Sequence, residues 1–190
     1  LQLLEQLGDK QNKANTLSNM AQVFLTRRDL DHALGLYQES LQLLEQLGDK
    51  QNKAALLSRL GDLYMSKHDF DKAKESLEES LVLREQVGHV DGVAYSIVKL
   101  GQVAKARGDK ETALSRYRDG LAIFEKMGMP RESEQVRQMI ASLEGGAVPN
   151  DDPLAQVLAQ ARDASQRGDV QSAIQYQEQA VSLARGTGEG

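Results

Sequence analysis

The 190-residue sequence has no cysteine, no tryptophan and only three prolines, and its aromatic residues are three Phe and five Tyr. Without cysteine there can be no disulfide, no thiolate metal site and no cysteine nucleophile. The scarcity of proline and of β-branched runs argues against a β-sandwich or barrel. No apolar stretch approaches the roughly 18 residues of a membrane span, and no signal-peptide pattern opens the chain. Neither sign of charge dominates: 23 Lys and Arg face 28 Asp and Glu, for a net charge of −5. The basic residues form no run and are not interleaved with aromatics, whereas electrostatic binding of nucleic acid needs a concentrated positive stripe. The expectation is a helical, soluble, cytoplasmic protein with neither nucleic acid nor membrane as partner. With 40% hydrophobic and 27% charged residues, it carries enough apolar material for a core.

What the sequence does have is a repeat. Residues 1–14 read LQLLEQLGDKQNKA, and residues 41–54 read the same fourteen letters. In rows of forty, 21 of 40 positions agree between the first two rows, and the period continues without insertion through a third. Gly8, Gly48, Gly88 and Gly128 each follow an amphipathic run, which suits the left-handed residue just past a helix end. Asp9 and Asp49 follow at once as N-caps, and Pro130 takes a first-turn place where proline is tolerated. Arg28-Asp29, His68-Asp69 and Gly108-Asp109 mark a second turn in each row. The spacing predicts helices over 10–27, 30–47, 50–67, 70–87, 90–107, 110–127 and 130–144. Apolar stripes run through Leu17, Met20, Ala21 and Phe24, and through Leu30, Ala33, Leu34, Tyr37, Leu41 and Leu44. Ala21, Gly61 and Gly101, with Ala33, Ala73 and Ala113, are the small residues expected where helices approach closely. A glycine inside a helix costs about 1 kcal/mol against alanine, so Gly61 and Gly101 call for a packing reason.

Leu60-Gly61-x-x-Tyr64 followed by Ala73 and Leu77, and Leu100-Gly101 followed by Gly108, Ala113 and Tyr117, resemble the tetratricopeptide repeat. The signature tryptophan position holds Leu17, Leu57 and Ile97, and the usual proline late in the second helix is absent. The forty-residue period with GDK between units is similar to the longer variant found in kinesin light chains, LGN-like adaptors and bacterial regulators. The resemblance implies an all-α, right-handed superhelical solenoid of antiparallel helix hairpins. Residues 1–7 are expected to end a preceding repeat, with repeats at 8–47, 48–87 and 88–127 and a capping helix at 130–144. These make an array over 1–144, followed by a linker at 145–152, a further hairpin of the same type at 153–185 and a flexible tail at 186–190. The first seven residues match the end of a second helix, so the sequence is expected to be a fragment or trimmed chain.

Catalytic constellations find no support. His32, His68 and His89 fall at turns or early in helices, with no Ser–Asp partner at a useful spacing, and read as solvated surface residues. The pairs Glu78-Glu79 and Asp151-Asp152 are sequence neighbours that a helix would point apart. No metal-ligand spacing and no phosphate loop occurs, so neither an enzyme nor a metal or other cofactor is expected. The resemblance places function on the concave groove lined by the first helix of each unit. It assigns Asn15, Ser18, Asn19 and Gln22 from row one and Ala55, Ser58, Arg59, Asp62 and Met65 from row two. Row three gives Tyr95, Val98, Lys99, Gln102 and Lys105, and row four adds Gln135 and Gln138. Of these, Asn15, Asn19, Gln22, Arg59, Asp62, Tyr95, Lys99 and Gln102 are the candidate partner-binding residues. Asn and Gln suit the main chain of an extended peptide, and Arg59 and Lys99 suit acidic groups. Asn19 and Arg59 match the carboxylate clamp of chaperone-binding relatives, but Ala55 stands where the clamp has lysine, so chaperone-tail binding is not expected. The reading is a protein-interaction scaffold for a partner protein or peptide. Two alternatives stand beside it: a regulatory sensor module of a larger protein, and a self-associating structural module relying on the apolar residues 1–7.

Overall fold

The computed structural model describes residues 9–145, 157, 160, 161, 164 and 169–186. Among them are eight helices and no strand: α1 (Lys10–Thr26), α2 (Leu30–Leu47), α3 (Lys50–Ser66), α4 (Phe70–Gln86), α5 (Val90–Ala106), α6 (Lys110–Lys126), α7 (Pro130–Glu144) and α8 (Val170–Gly186). The helix spans follow the forty-residue spacing to within one residue at each end. No helix among the described residues is long and apolar enough to cross a membrane. The chain divides into two compact units, Leu1–Val136 and Arg137–Gly190. In the first, the pairs α1/α2, α3/α4 and α5/α6 form antiparallel hairpins, and α2 stacks on α3 as α4 stacks on α5. This is an all-α solenoid of helix hairpins.

One turn design joins the helices throughout. Arg28, Gly48, His68, Gly88, Gly108 and Gly128 all lie at left-handed φ, between 59° and 82°. The residue after each donates its N–H back over the helix end, as Asp29 N to Phe24 O (3.0 Å), Asp49 N to Leu44 O (3.1 Å) and Asp109 N to Ala104 O (2.9 Å). These closures satisfy carbonyls that the helix end leaves unpaired. The donating residue is also the N-cap of the next helix. Asp9 accepts from Asn12 N at 3.0 Å, Asp29 from His32 N at 3.3 Å, Asp49 from Asn52 N at 3.0 Å, Asp69 from Lys72 N at 3.2 Å and Asp109 from Thr112 N at 3.0 Å. His89 holds the corresponding place before α5 and makes no side-chain cap bond. Pro130 opens α7, as its sequence position implies.

The core follows the small-residue columns. Ala21, Ala33, Ala73 and Ala113 are buried, and a Cβ on Gly61 would lie 2.7 Å from Leu77 Cγ, one on Gly101 2.7 Å from the Tyr117 ring. Inside each of the first two hairpins a buried hydroxyl repeats at the period, Ser40 Oγ to Ala14 O and Ser80 Oγ to Ala54 O, both 2.8 Å. Gly120 replaces that serine in the third hairpin and admits Val98. One stripe residue departs from expectation. Met20 is 37% exposed, whereas Leu60 and Leu100 at the same register are buried. Leu60 and Leu100 lie on the faces of α3 and α5 that meet the preceding hairpin, and no described residue covers that face of α1, where Val23 is exposed as well.

In the second unit, Asp169 accepts from Ser172 N at 3.1 Å and caps α8, while its own N–H donates to Ala164 O at 2.9 Å. Ala161, Ala164 and Ala180 are buried, and Val170, Ile174 and Val181 are exposed. The expected end of a preceding repeat at 1–7, the turn glycine Gly8, most of the linker, most of the first helix of the last hairpin and most of the tail lie outside the described residues.

Candidate functional site

The candidate site lies on the first helices of the hairpins. Asn15, Ser18 and Asn19 on α1 and Asn52, Ala55, Leu56 and Arg59 on α3 line a hollow of about 270 Å³, floored by Ser40 and Leu44 of α2. Asn19, Gln22 and Arg59 line an adjoining hollow of about 410 Å³ with Val23 and Thr26. Four of the residues named from sequence, Asn15, Asn19, Gln22 and Arg59, are thus brought together, and Arg59 belongs to both hollows. Its Nη1 donates to Ser18 Oγ at 3.0 Å. Tyr37 Oη donates to Gln22 Oε1 at 3.2 Å, and burial raises its phenol pKa while Arg59 draws it down. The short side chain of Ala55 keeps the first hollow open, which the longer lysine of a carboxylate clamp would enter.

The remaining candidates form a second group. Lys99 of α5 pairs with Asp62 of α3, so these two charges compensate each other within the array. Asp62 also borders a hollow of about 480 Å³ near the α1–α2 turn, with Leu25, Arg28 and Leu30. Tyr95 is exposed, its ring and that of Phe124 meet edge-on at 5.0 Å between centroids, and its Oη donates to Glu132 Oε1 at 3.3 Å. Burial, followed by the Glu132 carboxylate, pushes its phenol pKa up. Gln102 is half-buried on α5 and Gln135 is exposed on α7, whereas Gln138 falls in the second compact unit. Among the described residues, no group of three His, Asp or Glu could hold a metal ion. His32 stacks on Phe24 and shares a 2.7 Å contact with its own helix cap, Asp29, and His89 Nε2 lies 3.1 Å from Asp91. Both contacts are local to a helix start.

Sequence reasoning missed Asn52, Leu56, Val23 and Thr26 on the first helices, and also Ser40 and Leu44, the floor of the first hollow, because these two sit on a second helix. The signal that could have found them is the forty-residue register, which makes Leu44, Arg84 and Phe124 equivalent. Arg84 is half-buried, its Nη1 donates to Gly92 O, and burial lowers its pKa against the opposing pull of Asp91.

Two family models, both described as tetratricopeptide repeat, match residues 16–51 and 52–126, which together make up more than half of the chain. The chain belongs to the tetratricopeptide-repeat family. That fold is in general a non-catalytic scaffold for protein–protein interaction. BtubC (BKLC) of P. vanneervenii is similar at 26% identity and a TM-score of 0.62, over 67% of this chain and 53% of that one. The tetratricopeptide chain therefore spans about half the length of that relative. The nearly identical TPR-like repeats of a Podosopora anserina protein assigned as a kinesin light chain match at 15% identity and a TM-score of 0.57, over 93% of this chain and 97% of that one. The TPR2AB domain of yeast Sti1, in its complex with pHSP90, matches at 13% identity and a TM-score of 0.54, over 90% and 64%. The last two likenesses concern the fold. No curated protein sequence matches the chain.

Proposed function

We propose that the array is a protein-interaction scaffold that holds a segment of a partner polypeptide in the groove lined by α1, α3 and α5. The observation that carries this reading is the convergence of Asn15, Asn19, Gln22 and Arg59 on two adjoining hollows. Amide side chains both donate and accept, so they match the alternating N–H and C=O groups of an extended backbone. The Arg59 fork supplies a charge-assisted bond to an acidic side chain or a terminal carboxylate. The Sti1 domain pair, seen with pHSP90, uses the same fold to hold another protein's polypeptide, which supports the class of partner and not its identity.

Peptides selected on the full chain from a random display library provide the test. Arg59→Glu and Asn19→Ala weaken the selected peptides about tenfold or more, while Lys74→Glu, on α4 and outside both hollows, leaves them unchanged. Equal affinities across all three variants overturn the groove assignment. Lys99→Glu is a poor companion to Arg59→Glu. It sets a carboxylate against Asp62, and like-charge repulsion then lowers the melting temperature.

A further inference from the structure

The register places Arg84 in a core column. Leu44 and Phe124, one period before and after it, are 3% and 1% exposed, so the fold fills this place with an apolar side chain in the first and third hairpins. In the second hairpin it carries a guanidinium instead. The neighbouring helix has adapted to it. A Cβ on Gly92 would fall 2.9 Å from Arg84 Cδ and 3.0 Å from Nη1, and the residue at that register in α1 and α3 is asparagine. Among the described residues no carboxylate forms an ion pair with Arg84. The guanidinium is held by its bond to Gly92 O and drawn by Asp91, but no carboxylate reaches ion-pair distance, so half-burial costs the fold here what leucine or phenylalanine at that register would not. Packing alone therefore does not account for Arg84.

Its register explains it by position. Leu44 floors the hollow between α1 and α3, beside Asn15, Asn19, Ala55 and Arg59. One period on, the register makes Ala55 and Arg59 the equivalents of Asn15 and Asn19, Arg84 the equivalent of Leu44, and Gly92, Tyr95 and Lys99 the equivalents of Asn52, Ala55 and Arg59. Lys99 is already compensated by Asp62, whereas Arg59 and Arg84 form no ion pair among the described residues; Lys105, likewise without one, lies farther along α5. We infer that Arg84 is a specificity residue of the groove, and that it selects a partner segment bearing an Asp or Glu side chain at the position lying over α4. This rests on the groove reading above and adds to it the chemistry of the partner. An arginine fork recognises a carboxylate through two parallel bonds, and its strength rises where water is partly excluded, as at a half-buried floor.

The test uses the full chain, a random nonapeptide library displayed on phage, and the variants Arg84→Leu and Arg84→Lys. The wild-type chain enriches peptides with an acidic residue at one fixed position. Arg84→Leu, which restores the residue found at Leu44, melts at the same temperature or higher. It loses the acidic preference at that position, weakens the selected acidic peptides about tenfold or more, and keeps the preferences at other positions. Arg84→Lys keeps the preference with lower affinity. An Arg84→Leu chain that fails to fold, or that melts lower with an unchanged peptide preference, overturns the inference and makes Arg84 structural. Selected peptides without an acidic position overturn it while leaving the groove reading intact. Selection of no peptide at all overturns both.

Discussion

Arg28 and His68 hold a left-handed conformation at φ 59° that the other turns give to glycine. A residue with a Cβ is strained there by roughly 1–2 kcal/mol. Arg28→Gly is thus expected to stabilise the chain by about 1 kcal/mol, read as a higher urea midpoint at unchanged m-value. His68→Gly gives less, because the edge contact of His68 with Phe70 at 6.0 Å is lost. The helical glycines test the opposite sign. Gly35 on α2 has open space where a Cβ would go, so Gly35→Ala stabilises by about 0.5–1 kcal/mol through helix propensity and chain entropy. Gly61→Ala and Gly101→Ala gain the same propensity and still destabilise, since the new Cβ lies 2.7 Å from Leu77 or from the Tyr117 ring. Overpacking costs about 1–3 kcal/mol. Gly101→Ala is the worse of the two, because a leucine tip moves aside more readily than a buried aromatic ring. The need for small residues at 61 and 101 was legible from their recurrence in one column; the atoms that impose it were not.

At the scale of the element, α1, α2, α3, α4 and α6 each start at an aspartate whose carboxylate is held below the ordinary aspartate range by hydrogen bonds. For Asp9 the Asn12 backbone N–H leads, for Asp29 the His32 side chain, for Asp69 the Lys72 side chain and for Asp109 the Thr112 hydroxyl. At Asp49 desolvation pushes upward and is outweighed by the bonds from Asn52. A group whose folded pKa is depressed contributes stability that is present above its unfolded pKa and is lost as pH falls through the folded one. The melting temperature is therefore flat at neutral pH and declines below about pH 4. Replacing these aspartates by asparagine, an equally good cap without a titrating proton, removes their share of the acid decline, which a pH series of thermal melts measures. His89→Asp supplies the cap bond that α5 lacks and stabilises by about 1 kcal/mol.

The caps, turns and helix spans were readable because each depends on one or two adjacent letters at a fixed period. The long-range side-chain ties were not. Lys10 to Gln46 (2.9 Å) and Lys50 to Gln86 (3.0 Å), each within one hairpin, and Arg107 to Asp71 (2.8 Å), between two hairpins, join residues thirty-six apart on different elements. The Lys99–Asp62 pair is of this kind. Register states which residues are equivalent; it does not state which side chains reach across, and for that reason Lys99 read as a free groove cation. Met20 was misplaced for a related cause: the apolar period of a helix marks faces that can be buried, and burial also requires a covering element.

For the array as a whole, stability is a sum of hairpin terms and nearest-neighbour interfaces, and the described core is unequal along it. On α3 the residues Ala54, Leu56, Leu57, Leu60 and Leu63 are buried, and on α1 only Ala14, Leu17 and Ala21 among the described apolar residues. Native-state hydrogen exchange is expected to release α1 first and to protect α3 and α5 to nearly the global unfolding free energy. Equal protection in α1 and α3 would contradict this account.

The six turns in which a left-handed residue is followed at once by the next N-cap leave no slack between helices. One residue added inside a helix turns everything after it by about 100°, carrying core columns into solvent and groove columns into the stack. A whole period returns every side chain to its column. The molecule is therefore quantised in length: it tolerates the gain or loss of forty residues better than the gain or loss of one, and the fourteen letters shared by residues 1–14 and 41–54 are the seam along which such a change of length would leave the register intact.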